Sequence, residues 1–293
     1  MKHFINEDVL VKWIIYQGGI LHTRKFKNFE KVNLSACPEN TLVCITGYDF
    51  LLKQFFEKII NHFKRKIILI TIESDELTIM PEYLSHPLLK HWYTWNKPYE
   101  HDKVTAFPIG LNYDRQQVML EKYLATVKLV NPMERKLMCI NCSLTTDKSR
   151  EKLHNKVTNE WQSYCDVIEN IPFIKEYYRK TNIEGAIKIS VTDPKCYDIL
   201  SKYKFILSPR GAGEDCHRTW EALYLDMIPI VLSSSINELY EDLPIVVVDG
   251  WDDINEEFLN NKFEEISKKK QNNEYKMEKI YLDYWFKQFN IIS

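Results

Sequence analysis

The chain has 293 residues, a formal net charge of −2, and 45% hydrophobic and 13% aromatic residues. That length admits two domains, the hydrophobic share is normal for a globular protein, and the near-neutral balance gives no support to a nucleic-acid partner. Seven cysteines, scattered and odd in number, do not make a disulfide scaffold, so reduced thiols are expected.

In chain order, alternating strands and helices are predicted. Asn6–Tyr16 reads as a short helix with Val11 and Ile15 inward, and Gly18–Glu39 as polar and irregular. Thr41–Ile45 is a buried strand ended by Gly47. Phe50–Phe63 is an amphipathic helix carrying Leu51, Phe55, Ile59 and Phe63 at four-residue spacing, followed by a Lys66–Ile72 strand. That strand runs into the acids Glu73, Asp75 and Glu76. Trp92–Trp95 and Val104–Pro108 are further strand candidates, and Arg115–Lys128 is helical. Asn131-Pro132 breaks the pattern. It divides a first α/β domain (1–131) from a second (132–272), and the aromatic helix Tyr275–Phe289 lies within a third segment (273–293).

In the second domain, Lys136–Asn141 and Cys165–Ile168 are predicted strands, and Ile187–Val191 is a candidate. Thr146–Trp161 reads as a helix with Asp147 near its start, and Asp193-Pro194 opens another that ends at Lys202. Leu243–Asp249 reads as a long buried strand, Asp253–Lys268 as a helix and Lys268–Asn273 as a solvated loop. Two α/β units with one phosphate-type turn predict a two-domain Rossmann-like protein with mostly parallel sheets.

The chemistry concentrates in Tyr203–Ser233, read as strand, glycine turn, helix and strand. Pro209 stops the first strand because it lacks an N–H. Gly211 and Gly213 allow a tight turn in which backbone can approach a ligand closely. Asp215 is the candidate N-cap. Arg210, His217 and Arg218 bring two fixed positive charges and one switchable one to a helix N-terminus, where free N–H groups already favour an anion. Arginine adds bidentate donors that match phosphate. Glu221 shares the helix face of His217 and Arg218 and is suited to ribose hydroxyls. A nucleoside diphosphate beyond the carboxyl end of a parallel strand fits this set, with Ser208 at the strand end. The bland alternative is an ordinary Arg218–Glu221 ion pair beside glycines that only turn the chain.

The run SPRGAGEDCHRTWEALYLDMIPIV resembles the signature segment of exostosin-like glycosyltransferases. The matching parts are Ser208-Pro209, Arg218-Thr219-Trp220-Glu221-Ala222-Leu223 and Ile228-Pro229-Ile230-Val231. A second segment is similar to microbial and viral members: His91–Asn96, then His101–Val104, then Phe107-Pro108-Ile109-Gly110-Leu111. Together they span about a fifth of the chain.

The resemblance implies the GT-B architecture, two Rossmann-like domains facing a central cleft, with the donor on the second domain and the acceptor mainly on the first. It implies that the last helix crosses back to the first domain, where Tyr281, Tyr284, Trp285 and Phe289 would pack. It also implies inverting transfer of a sugar from a UDP- or GDP-type donor to a hydroxyl of a glycan or glycoconjugate. Charge growing on the leaving diphosphate would be met by Arg210, Arg218, His217 and the Gly211–Gly213 amides. Metal independence is expected on that ground, and no other cofactor.

Inversion calls for a base on the acceptor hydroxyl. Asp75 and Glu73, beyond the Lys66–Ile72 strand, are the first candidates for this role, followed by Asp49 and His101. Cellular relatives sit in the secretory pathway behind an anchor. Here no apolar run approaches the roughly 20 residues of a membrane span, and acidic residues interrupt the first residues, MKHFINEDVLVKW, where a signal peptide would be apolar. A cytoplasmic bacterial or viral enzyme is therefore expected.

Cys139 and Cys142 read as core thiols, Trp92 and Trp95 as core aromatics with sugar stacking as the alternative, and His86, His91 and His101 as no metal site. Two rival functions remain open. One is a noncatalytic glycan- or nucleotide-sugar-binding partner of another transferase. The other is a GT-B epimerase, whose NAD-dependent form lacks support because no glycine-rich dinucleotide fingerprint is present.

Overall fold

The computed structural model describes residues 3–23, 29–75, 79–112, 114–127, 129–141, 150–181 and 194–292. Strands β1 (Ile20–His22), β2 (Thr41–Thr46), β3 (Ile67–Ile72), β4 (Leu89–Thr94) and β5 (Val104–Ala106) lie side by side in chain order. The second sheet holds β6 (Lys136–Ile140), β7 (Cys165–Val167), β8 (Tyr203–Leu207), β9 (Ile228–Leu232) and β10 (Val246–Val248), in the spatial order β10-β9-β8-β6-β7. Every strand pair in both sheets is parallel. The α/β class expected from the alternation is the observed one.

The two sheets differ in one respect that matters for a site. The first never reverses its order. In the second, β6 pairs with both β7 and β8, so the chain builds outward in one direction and then in the other. In open parallel sheets, the crevice beyond the carboxyl ends at such a reversal is where ligands bind.

Among the described residues the helices are α1 (Glu7–Tyr16), α2 (Asp49–Gln54), α3 (Pro81–Leu84), α4 (Asp114–Thr126), α5 (Glu151–Asn155), α6 (Pro172–Thr181), α7 (Lys195–Leu200), α8 (His217–Tyr224), α9 (Asn237–Tyr240), α10 (Glu256–Gln271) and α11 (Leu282–Ile292). Strand side chains alternate between faces, and the cores follow. Val43, Ile45, Ile67 and Leu69 pack on the outer face of the first sheet, and Met138, Ile140, Phe205 and Leu207 on the outer face of the second. Their neighbours Leu42, Cys44, Ile68, Ile70, Cys139 and Ile206 join one continuous core together with α1, α7, α8 and α11. The two sheets therefore share a helical layer between them.

In that layer α11 packs its aromatic residues on the first sheet's side. The rings of Trp13 and Phe286 stack at 4.0 Å and 4°, Phe289 meets Tyr93 at 4.7 Å, and Trp285 meets Phe107 at 5.4 Å. Tyr224 of α8 accepts a hydrogen bond from the Ile5 N–H at 3.0 Å and donates to the Ile280 carbonyl, so α8 touches both chain ends.

Several local expectations are corrected. Asn6 caps α1 by accepting from the Asp8 and Val9 amides, but Leu10, Val11 and Ile14 form its inner stripe. Ile15, further round the helix, is 46% exposed. Residues 18–39 contain β1, a three-residue strand too short to show a period. The helix begun by α2 continues as a π-turn (Phe55–Ile59) and a 3-10 turn (Ile60–His62). The wider turn shifts the buried face to Leu52, Phe55, Phe56, Ile60 and Phe63. Residues 243–249 supply only three strand residues, and this strand lies at a sheet edge, beside a proline with no N–H to give. Lys268–Lys270 form the last turn of α10 rather than a loop, where cations complement the helix dipole. The helix α6 had no counterpart in the sequence reading. Asp147, Cys142 and Ile187–Val191 lie outside the described residues. Among the described residues no helix is long and apolar enough to cross a membrane.

Candidate functional site

The turn after β8 sits at the reversal of the second sheet. Ser208 extends the ladder by donating its N–H to the Ile230 carbonyl at 2.9 Å, and its hydroxyl lies 2.8 Å from the Thr219 hydroxyl on α8. Arg218, buried on the first turn of α8, spans the reversal. Its Nε donates to the carbonyl of Asn141, just past β6, at 3.0 Å, and its Nη1 donates to the carbonyl of Pro209, just past β8, at 3.2 Å. The buried Asn141 Oδ1 beside it has no hydrogen-bond partner among the described residues. Glu221 is buried one turn along α8 from His217.

The other charges at the turn differ from expectation. Arg210 folds back on its own loop, with Nη1 2.6 Å from Glu214 Oε1 and Nη2 donating to the Ala212 carbonyl at 3.0 Å. Its charge is thus compensated within the turn. A second arginine, Arg150, was missed in the sequence. It is buried and donates from Nε and Nη2 to the Arg210 carbonyl at 3.1 and 2.6 Å. It precedes α5 far upstream, and no local pattern in the surrounding run of mixed charge marks it.

Asp215 is not the cap of α8. The N-cap is Cys216, whose side chain makes no capping bond. Asp215 is instead a buried hub. Its carboxylate accepts from the Ile109 amide at 2.9 Å, from Trp220 Nε1 at 2.8 Å, from the Cys216 amide at 2.9 Å and from the Tyr240 hydroxyl at 3.3 Å. Burial pushes this carboxyl up to about 6, against the pull of those donors.

Gly213 is likewise explained by packing. A Cβ there would lie 2.4 Å from Asn96 Nδ2. Gly211 is less crowded, with the Cys216 sulfur 3.6 Å from its would-be Cβ.

His217 does not act as a positive charge in this setting. Its Nδ1 lies 2.7 Å from the Gly110 carbonyl. Burial and the neighbouring Arg218 lower its pKa, against the Gly110 bond and the charge of Asp75, which raise it.

Asp75 is exposed and close enough for its charge to be felt at His217. Glu73 begins the same loop in the left-handed region, with φ +58°, and its Oε2 accepts from the Thr46 hydroxyl at 2.6 Å, towards β2. Asn96, also left-handed at φ +48°, donates to the Ser74 carbonyl at 3.0 Å and accepts from the Asp215 amide at 2.8 Å.

Ser208, Gly213, His217, Arg218 and Glu221 are therefore gathered about one turn, and the charge of Asp75 is felt at His217. Glu73 and the Arg210 side chain are each held by neighbours. Trp92 and Trp95 are buried, which favours their core reading. Cys139 is a buried thiol whose pKa burial pushes up. Among the described residues no three His, Cys, Asp or Glu side chains are grouped to hold a metal ion.

A scan against models of protein families finds no match to this chain. A search of curated proteins also finds no match.

Proposed function

We propose that this chain is a glycosyltransferase of GT-B type, which moves a sugar from a UDP- or GDP-linked donor to a hydroxyl of a glycan or glycoconjugate with inversion. The observation that carries the reading is the meeting of the two segments that resemble exostosin-like enzymes. Asn96 bonds to Asp215 and packs on Gly213, Ile109 bonds to Asp215, and Gly110 bonds to His217. Segments more than 100 positions apart thus converge on the reversal of the second sheet, where a nucleotide is expected to bind.

In this reading the diphosphate lies by the turn, with Arg218 and the α8 amides meeting the charge that grows on the leaving group. Glu221 takes ribose hydroxyls, and Asn141 Oδ1, which has no partner among the described residues, accepts a donor from the ligand. The acceptor approaches from the first sheet's carboxyl edge, where Asp75 is exposed and Glu73 accepts a hydrogen bond from Thr46. Because the protein's own cations and amides serve the leaving group, turnover is expected without a divalent ion.

One observation favours a noncatalytic binding partner instead. Arg210 is neutralised by Glu214, and Arg218 already spends two donors on backbone carbonyls. The test is a thermal-shift series with nucleoside diphosphates and nucleotide sugars, with and without EDTA, followed by donor-hydrolysis assays. A ligand that binds the folded state raises the midpoint by mass action. A shift with one nucleotide class, insensitive to EDTA and accompanied by turnover, is the expected result. A shift without turnover favours the binding partner, and no shift with any nucleotide removes the donor site.

A further inference from the structure

We infer, on the transferase reading above, that His217 Nε2 takes the proton from the acceptor hydroxyl. The tautomer follows from geometry. A carbonyl oxygen only accepts, so at 2.7 Å from the Gly110 carbonyl the Nδ1 of His217 carries the hydrogen. In the neutral ring Nε2 then holds the lone pair. Among the described residues no hydrogen bond reaches Nε2.

The orienting carbonyl is itself fixed. Gly110 has φ +66°, and a Cβ there would lie 2.3 Å from the Ile5 carbonyl oxygen, so only glycine turns this carbonyl onto the ring. A carbonyl that fixes one imidazole nitrogen and leaves the other as the acceptor is how a histidine base is held in register.

His217 is also well situated for the task. It opens α8, directly before Arg218 and one turn before Glu221. The charged groups acting on it are Arg218 on its own helix and Asp75 from the loop after β3, and the Gly110 carbonyl reaches it from the loop after β5. Burial keeps the ring neutral near pH 7 and available to receive a proton. An imidazole suits proton removal near neutrality better than an ordinary carboxylate does.

Glu73 is already engaged by Thr46, and Asp75 becomes a positioning residue whose charge steadies the imidazolium that forms. In the step, the acceptor O–H proton passes to Nε2 and the acceptor oxygen bonds the anomeric carbon. The bond from that carbon to the β-phosphate oxygen breaks, and the nucleoside diphosphate leaves with the electron pair.

Hydrolysis of UDP-glucose and GDP-mannose, with water as acceptor, tests this by the release of nucleoside diphosphate. His217→Asn leaves an amide N–H to face Gly110 but removes the base. It is expected to lower kcat about 100-fold or more, to lose the acid limb of the pH profile and to keep the thermal shift given by UDP or GDP. Free imidazole should restore part of the rate of His217→Ala. Asp75→Asn should retain turnover within about tenfold and move the acid limb to lower pH, since the Asp75 charge raises the His217 pKa.

Turnover of His217→Asn within about threefold of wild type, or loss confined to Asp75→Asn, overturns the role of His217 and leaves the transferase reading standing. A wild-type protein with neither nucleotide shift nor release overturns both.

Discussion

The Asp215 amide donates to Asn96 Oδ1 at 2.8 Å across 119 positions of sequence, and the other end of the same side chain donates to the Ser74 carbonyl at 3.0 Å. One amide thus holds the loop after β3, the end of β4 and the turn after β8 together. Its rigidity makes Gly213 a sharp test. A Cβ at Gly213 would sit 2.4 Å from Asn96 Nδ2 and 2.8 Å from Oδ1, and Asn96 cannot withdraw without losing both bonds. Gly213→Ala is expected to cost about 1–3 kcal/mol in urea unfolding. Gly211→Ala, whose nearest contact is 3.6 Å, should stay within about 0.5 kcal/mol.

Asp215 gives a pH dependence of defined sign. Its folded-state carboxyl is raised to about 6 from 3.8 by burial, so in that window the native state binds more protons than the unfolded chain. Its contribution to stability is fully present below pH 4 and is lost as pH rises through 6, by up to about 3 kcal/mol. Every group bonded to the Asp215 carboxylate is a donor, so Asp215→Asn turns an amide N–H towards one of them and costs about 2 kcal/mol or more. Unfolding of both proteins at pH 4.5 and 7.5 should give a gap that narrows as pH rises.

The fold was legible where strands were long. β2, β3 and β8 are continuous apolar runs, and their boundaries fell within a residue or two of expectation. β1 and β10, three residues each, carry no period that a reader could use, and the π-turn after α2 breaks the periodicity on which a helix reading depends. At the site, the turn and Arg218 were legible because glycine, proline and arginine have strong local meanings. The partners of those residues were not. Gly213 suggested an approaching ligand, but the occupant of its space is Asn96. Asp215 has the composition of a cap, but its role is set by Ile109 and Tyr240. Arg150 acts through a contact 60 positions away. Spacing along a chain cannot show such pairings, because they exist only once both sheets are built.

Lys97 tests a second junction between the halves. Its side chain is fully buried, with Nζ 2.7 Å from Glu100 Oε2 and 2.8 Å from Glu238 Oε1. Glu238 Oε1 also accepts the Ala106 amide at 2.7 Å. Removing Glu238 leaves a buried ammonium short of its better-shielded partner, so Glu238→Ala is expected to cost about 3 kcal/mol. Glu100 is 75% exposed, and Glu100→Ala should cost less than about 1 kcal/mol. Equal losses in denaturant unfolding would mean that the two carboxylates share the lysine evenly, against this ranking.

Arg218→Lys separates a structural arginine from one that also serves a ligand. The guanidinium reaches the carbonyls of Asn141 and Pro209 from two different nitrogens, and a lysine has one nitrogen and cannot span both. Stability should fall by about 1–3 kcal/mol, and further for Arg218→Ala, which removes both bonds across the β6–β8 reversal. The two substitutions part company on ligand. Lysine keeps a positive charge near the turn, so it should retain some of the midpoint shift produced by UDP or GDP, and alanine should lose it. If both variants shift as far as wild type once their lower starting midpoints are allowed for, Arg218 only ties the two strands together, and the charge that meets a diphosphate must come from elsewhere. Arg150 is then the next arginine to substitute, since its guanidinium lies on the same turn and within 4.0 Å of a Cβ built on Gly211.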